Sequence, residues 1–151
     1  MRLSLQVQYA ICGVFDLAYN GQGEPVQVRV ISERQGIPAR YLEQIFQRLR
    51  RAGIVTSKRG PGGGYTLARA AGQLTLRQVV EAVEGALGEA FEMAPFEAEA
   101  GAAVFRPDFL WPLLAERVGT ALASVTLESL CRDAARSRVA RAEHEAPMYF
   151  I

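Results

Sequence analysis

Residues 37–67 restrict the fold of this chain more than any other stretch. After Ile37-Pro38, the apolar residues Leu42, Ile45, Phe46, Leu49 and Ala52 recur at i, i+3, i+4, i+7 and i+10, the period of a helix with one buried stripe. Proline is tolerated at such a start because the N–H it lacks would have been unpaired, and Gly53 is placed to cap the end. Ile54–Ser57 and Gly64–Leu67 then read as two strands joined by Lys58-Arg59-Gly60-Pro61-Gly62-Gly63, a basic, glycine-tipped hairpin. A short helix is predicted just upstream over Arg29–Gln35, stopped by Gly36, with a short strand over Val26–Val28 before it. Helix, tight turn, helix and basic hairpin, in that order, is the layout of a winged helix-turn-helix.

The flanks complete a mainly α fold. Leu3, Val7, Ala10, Ile11, Val14, Leu17 and Ala18 predict a helix over Leu3–Tyr19, ended by Asn20-Gly21. Thr75-Leu76-Arg77-Gln78 predicts a capping box, in which the Thr75 hydroxyl and the Gln78 side chain exchange bonds with each other's backbone, opening a helix to about Glu84. Residues 85–106 show neither period and read as a long loop. Pro107-Asp108 precedes another helix, carrying Phe109, Leu110, Leu113, Leu114, Val118 and Leu122, and Thr126 is placed to cap a last helix from Leu127. The expected division is therefore a DNA-binding unit over 1–84, a loop over 85–106, helices over 107–142 and a tail over 143–151.

Composition excludes several classes. Half of the 151 residues are apolar, enough to hold a core without disulfide staples. Cys12 and Cys131 are too far apart in sequence to form a metal knuckle, and one histidine, His144, gives no His-based site. No uncharged apolar run approaches the ~20 residues of a membrane span, and the N-terminal stretch lacks a signal-peptide cleavage pattern. A soluble cytoplasmic chain is expected. No nucleophile–base set or cofactor fingerprint suggests an enzyme.

A formal net charge of +1 conceals a division: residues 1–69 carry ten Lys and Arg against four acids, and residues 70–151 seven against twelve. Such asymmetry suggests a polyanion-binding half. On the second helix of the motif, the face opposite the apolar stripe presents Arg40, Tyr41, Glu43, Gln44, Gln47, Arg48 and Arg51. Arg pairs bidentately with guanine, Gln with adenine, and a carboxylate accepts from cytosine, while the later arginines suit phosphates. A solvated face of ordinary polar residues is the plainer alternative. In the hairpin, Lys58, Arg59 and Gly60 form a slender cationic tip, with Arg59 placed to enter a narrow minor groove. A nucleotide-binding glycine loop would lead into a helix, whereas Gly64 leads into strand-like Tyr65-Thr66-Leu67.

Arg2-Leu3-Ser4, Tyr9-Ala10, the stretch Ile31 to Ile37, Tyr41-Leu42-Glu43-Gln44-Ile45-Phe46, Leu49 to Gly53, Arg59-Gly60-Pro61-Gly62-Gly63-Gly64-Tyr65 and Val83-Glu84 resemble the Rrf-two family of bacterial regulators, typified by IscR, NsrR and CymR. The likeness runs from Met1 to about Gly85 and resumes weakly at Leu110-Trp111 and Val125 to Leu130. The resemblance implies a homodimeric winged-helix transcriptional regulator of double-stranded promoter DNA, repressing or activating. The long helix after Pro107 would build the dimer through Phe109, Leu110, Leu113, Leu114, Val118 and Leu122. It also implies major-groove roles for residue 40, Tyr41, Glu43 and Gln44, a minor-groove role for Arg59, and phosphate proximity for Arg2 and Ser4. Pro38 stands where a capping Ser is usual, and Arg40 where a small polar residue is common, so a guanine contact by Arg40 is this chain's own expectation. The alternative to a promoter-binding regulator is a winged-helix module that turns the basic face to a protein or RNA partner.

Iron–sulfur members of that family carry three cysteines in the loop matching Gly85–Arg106 and a fourth ligand just before the tryptophan. Here Glu92 stands near the first position, Asp108 near the last, and the loop has no cysteine. Soft thiolates are what iron–sulfur clusters require, so neither cluster nor metal is expected, although loop carboxylates suit a hard cation. Three signals remain open. Phe91, Met93, Phe96, Phe105, Phe109 and Trp111 can line a pocket for a small molecule, or simply fill the dimer core. The acidic loop can dock a protein effector. Cys12 or Cys131 can act as a redox thiol, Arg132 being adjacent to the second.

Overall fold

Helix α1 (Leu5–Asn20) is the axis around which the other elements gather in the computed structural model, which describes residues 2–93 and 106–143. It starts where the Ser4 hydroxyl accepts the Val7 N–H at 3.2 Å. Helix α2 (Val28–Gln35) and helix α3 (Ala39–Arg51) follow, separated by Gly36, whose φ of 65° closes α2 in the left-handed conformation glycine adopts readily. Strands β1 (Val55–Lys58) and β2 (Gly64–Leu67) form an antiparallel pair in the register Val55–Leu67, Thr56–Thr66, Ser57–Tyr65 and Lys58–Gly64. A 3-10 turn (Ala71–Gln73) leads to α4 (Leu76–Glu84), and α5 (Leu87–Ala90) is a single turn. Helices α6 (Leu110–Ala123) and α7 (Leu127–Arg136) are the last regular elements among the described residues.

The helix-period stripes meet at α1. Ala10, Val14 and Leu17 pack with Ile31, Leu42, Ile45, Phe46, Leu49, Leu74, Val79 and Leu127 in one buried cluster. Each large aliphatic or aromatic side chain buried there contributes about 1.5–3 kcal/mol. Gly13 sets the spacing of α1 and α3: a Cβ there would lie 2.9 Å from Phe46 Cε2 and 3.0 Å from Leu42 Cδ1. Both expected capping devices form. Thr75 N donates to Gln78 Oε1 at 2.9 Å and Gln78 N to Thr75 Oγ1 at 3.3 Å, and Thr126 and Ser129 repeat the exchange at 3.0 Å each way.

Some boundaries differ from the sequence reading. Val26–Val28 does not form a strand: Val26 makes one isolated bridge to Tyr65, and Val28 is already the first residue of α2. The apolar side chain of Val28 is needed inside the helical core rather than along a sheet. The loop from residue 85 contains the turn α5, which seats Leu87 against Val7 and Val80. The helix after Pro107 starts only at Leu110, with Pro112 third in its first turn, where its missing N–H costs nothing. The C-terminal helices are not a detached unit. Leu127 is fully buried in the α1 core, and Leu127 N donates to Leu74 O while Leu76 N donates to Val125 O, both at 2.9 Å.

Polar chemistry ties α2 to α1. Asp16, with no exposed surface, receives Arg34 Nε at 3.1 and 3.2 Å, Arg34 Nη2 at 2.5 Å, Gln35 Nε2 at 2.9 Å and Asn20 Nδ2 at 3.3 Å. Breaking a buried pair of this kind is costly because it strands the remaining charge. Asp16→Ala is therefore expected to lower the free energy of unfolding by about 3 kcal/mol or more. Thr75→Ala, the loss of one cap, lowers it by about 1 kcal/mol. Urea denaturation at an unchanged slope checks both, and equal effects would show that Asp16 is not a hub of the fold.

Candidate nucleic-acid interface

The α3 helix divides as its sequence predicts. Leu42, Ile45, Phe46 and Leu49 are buried, and Arg40, Tyr41, Glu43, Gln44, Gln47, Arg48 and Arg51 are exposed. Its first turn contains no acid and holds Arg40, and its last turn carries Arg48, Arg50 and Arg51, which suit the negative C-terminal end of the helix dipole. Arg40 does not wave freely. Its Nη2 donates to Tyr41 Oη at 3.1 Å, and its guanidinium carbon lies 4.9 Å from the Tyr41 ring centroid. That hydrogen bond, and secondly the charge interaction with Tyr41, raises the Arg40 pKa above its ordinary value.

Two cations of α3, one of them predicted, are partly engaged by the fold. Arg48 Nη1 donates to Gln6 Oε1 at 2.9 Å and to Val83 O at 3.4 Å, so it braces α3 against α1 and α4. Arg50, which the sequence reading passed over, donates to Ser57 Oγ at 3.4 Å and links α3 to β1. Gln6 was equally unforeseen, because nothing local to α1 says which helix lies across from it. Between the two helices, Leu5, Gln6, Tyr9, Tyr41, Gln44, Ile45 and Arg48 line an open cavity of about 310 Å³.

The hairpin is built for close approach. Lys58, Arg59 and Gly60 are exposed, and Gly63 N donates back to Gly60 O at 2.9 Å across the tip. A Cβ on Gly63 would fall 2.3 Å from Lys58 O, and one on Gly64 would fall 2.4 Å from the Val26 carbonyl carbon. These glycines let the wing fold tightly on itself and against Val26, which exchanges backbone bonds with Tyr65 at 2.8 and 2.9 Å. Tyr65 also packs on Phe46, ring centroids 5.0 Å apart, so the wing is registered directly to the core of α3. At the start of α1, Arg2 and Ser4 are exposed, but the Ser4 hydroxyl already caps Val7 and donates to Glu84.

The helix α6 stripe splits into two faces. Phe109 is 75% and Leu113 37% exposed, with Leu110 and Leu114 half-buried. Leu122 packs on the Val7–Val80–Leu87 cluster, and Val118 lines the cleft beside it, so these two face the protomer's own body. The six residues read from sequence as one dimerisation set thus do not share one environment.

The sensor set comes together in part. Ala90, Phe91, Glu92, Met93 and Trp111 line a cavity of about 150 Å³. The Trp111 indole N–H is buried and meets no acceptor among the described residues. Phe96 and Phe105 lie outside the described residues. Asp108 is exposed and paired with Arg106 at 3.3 Å. Cys12 on α1 keeps exposed surface and Cys131 is half-buried on α7; partial desolvation of the Cys12 thiol pushes it up. Burial also pushes Cys131 up, opposed by Arg141 rather than by its neighbour Arg132. Both shifts leave the thiols protonated at neutral pH. The donors do not fit an iron–sulfur cluster: its site would need thiolates where this chain has exposed Glu92 and ion-paired Asp108, and the chain's two cysteines stand on α1 and α7. Among the described residues no three metal-ligating side chains converge, and no helix is long and apolar enough to cross a membrane.

Known proteins share this arrangement. The family model Rrf2, described as iron-dependent transcriptional regulator, matches residues 3–133. The regulator IscR of Xenorhabdus nematophila is 41% identical over 133 residues, covering 88% of this chain and 80% of that protein. IscR of Photobacterium profundum is 39% identical over 133 residues, covering 88% and 77%. Among solved structures, IscR of T. potens superposes with a TM-score of 0.72 at 31% identity, covering 94% of each chain. CymR, the global cysteine regulator of B. subtilis, superposes with a TM-score of 0.69 at 29% identity, covering 88% of this chain and 98% of that one. With its winged helix-turn-helix and a family match spanning most of its length, the chain belongs to the Rrf2 family of transcriptional regulators and not to the enzymes.

Proposed function

We propose that this regulator binds promoter DNA in the cytoplasm as a homodimer, reading sequence with the first turns of α3 and holding the duplex with the wing. The observation that carries this reading is the shared exposure of the Arg40–Gln44 turn and the Arg59 tip on elements fixed to one core through Phe46 and Tyr65. Arg40 held against Tyr41 is preorganised to donate to guanine, Gln44 suits adenine, and Glu43 accepts from cytosine. Lys58, Arg59, Arg51 and Arg2 supply phosphate or minor-groove contacts that position the protein. Phe109 and Leu113, apolar and exposed on α6, support contact with a second copy. Two recognition helices then meet half-sites about 34 Å apart or slightly more.

We propose further that the chain works without a cluster. The small cavity at Phe91, Met93 and Trp111 supports a small-molecule signal, because a buried indole N–H with no acceptor among the described residues suits a ligand carrying one. That cavity adjoins α5 and α6, the elements leading to the proposed dimer face.

Titration of fluorescent promoter DNA tests the contacts. Arg59→Ala is expected to weaken binding to all sequences and reduce the salt slope by about one. Gln44→Ala is expected to lose about 1–3 kcal/mol of discrimination at one base pair while keeping most non-specific affinity. Wild-type behaviour of both variants refutes the assignment, and protection of RNA or a protein in place of DNA favours an interaction module. Protein purified without air is expected to be colourless, iron-free and still able to shift promoter DNA; a brown, iron-dependent preparation refutes the cluster-free reading.

A further inference from the structure

The chain does not leave the body when α7 ends. Arg138 takes a left-handed conformation, φ 60°, uncommon for a residue with a side chain. Val139 N donates to Ala134 O at 2.9 Å, turning the backbone around. Residues 139–142 then lie along the end of α1. Tyr19 Oη donates to Val139 O at 2.8 Å, Arg141 Nη1 donates to Tyr19 O at 2.6 Å, and Ala142 N donates to Asn20 Oδ1 at 2.8 Å. The Arg141 guanidinium also covers the Tyr19 ring, 4.1 Å from its centroid. Little apolar burial holds this segment, since Val139 is 44% exposed. Its place is set by polar bonds to two α1 residues.

One of those two residues also faces the helix-turn-helix. Asn20 is 7% exposed, and while its Oδ1 accepts from Ala142 its Nδ2 donates to Asp16. Asp16 in turn holds Arg34 and Gln35, the last two residues of α2 before the Gly36 turn into α3. An amide is the one side chain of that size that serves both neighbours, since it offers an acceptor to the strap and a donor to the carboxylate. A carboxylate at residue 20 would set two negative charges together in a buried site, and an alkyl group would leave the Ala142 N–H without its acceptor and take one of the donors from Asp16, which would keep only Arg34 and Gln35. The outcome is a continuous path of hydrogen bonds from residue 142 to the turn that aims the recognition helix.

We infer that the strap over residues 138–142, acting through Asn20, is a positioning element for DNA reading: it fixes the Asp16 carboxylate on which α2 is seated, and so the angle at which α3 meets the groove. This rests on the DNA-reading role proposed above. The strap touches no proposed DNA contact, so its effect falls on sequence discrimination rather than on the attraction of charge for phosphate.

Arg141→Lys in the full-length chain tests the inference. It preserves charge on an exposed residue while removing the planar stack on Tyr19. Affinity for the operator is expected to fall about fivefold, the scale of one lost hydrogen bond, with affinity for random DNA unchanged. Hydrogen exchange of the Ile37 amide, which bonds Ser32 O across the turn at 3.1 Å, is expected to quicken while that of the Leu42 amide does not. Tyr19→Phe, which keeps the ring and deletes the bond to Val139, serves as a second variant with the same expected signature. Unchanged operator affinity and unchanged Ile37 exchange in both variants would overturn the inference, as would a loss of thermal stability with operator affinity intact. A wild-type protein that does not prefer operator over random DNA would instead overturn the DNA-reading role itself, and this inference with it.

Discussion

Asp16 carries a negative charge to a place that water does not reach, and the arrangement of the DNA-reading half follows from how that charge is satisfied. A desolvated carboxylate is tolerable only with several directed donors. Here they come from α2 through Arg34 and Gln35 and from the end of α1 through Asn20. Hydrophobic burial brings α1, α2 and α3 together, but burial is not directional. The bidentate arginine is, and it specifies one orientation among the many that would cover the same apolar surface. The close α1–α3 crossing at Gly13 and the Phe46–Tyr65 contact carry that orientation outward to the wing.

The exposed surface follows the same logic of parts held before a partner arrives. Arg40 lies against Tyr41, Arg48 is tied to Gln6, and Arg50 reaches Ser57. Each ordered long side chain has already lost rotamer freedom, which lowers the entropy cost of placing it on a rigid duplex. The cations divide into those that brace α3 against its neighbours and those that stand in solvent, a distinction that charge counting alone does not make.

What was legible in the sequence was local. The α3 stripe, the Thr75 capping box, the Thr126 cap, the Gly36 turn and the glycine-rich wing each depend on residues within one or two turns of one another, and each formed where expected. The exposure of Arg40, Gln44 and Arg51 was legible because an amphipathic period reveals the solvent face as surely as the buried one, and that of Arg59 because it sits at a glycine-rich hairpin tip. Long-range pairings escaped. Nothing around Arg48 announces Gln6, and nothing around Ala142 announces Asn20, 122 positions away. The differing surroundings of the α6 stripe were not legible because a periodic pattern shows which residues are apolar and not which neighbour covers them; Leu122 packs on its own protomer, whereas Phe109 is largely exposed. Val26–Val28 misled for the opposite reason: three residues rich in valine satisfy a strand rule, and the tertiary core chose a helix start.

The crowding at Gly63 and Gly64 shapes how such a regulator can diverge. No side chain fits at either position without displacing backbone that the wing folds against. Residue 40, by contrast, stands in open solvent on a helix whose other face does the folding. Duplicated copies of the gene can therefore exchange first-turn side chains of α3 without disturbing the fold, while the hairpin backbone stays frozen in every descendant.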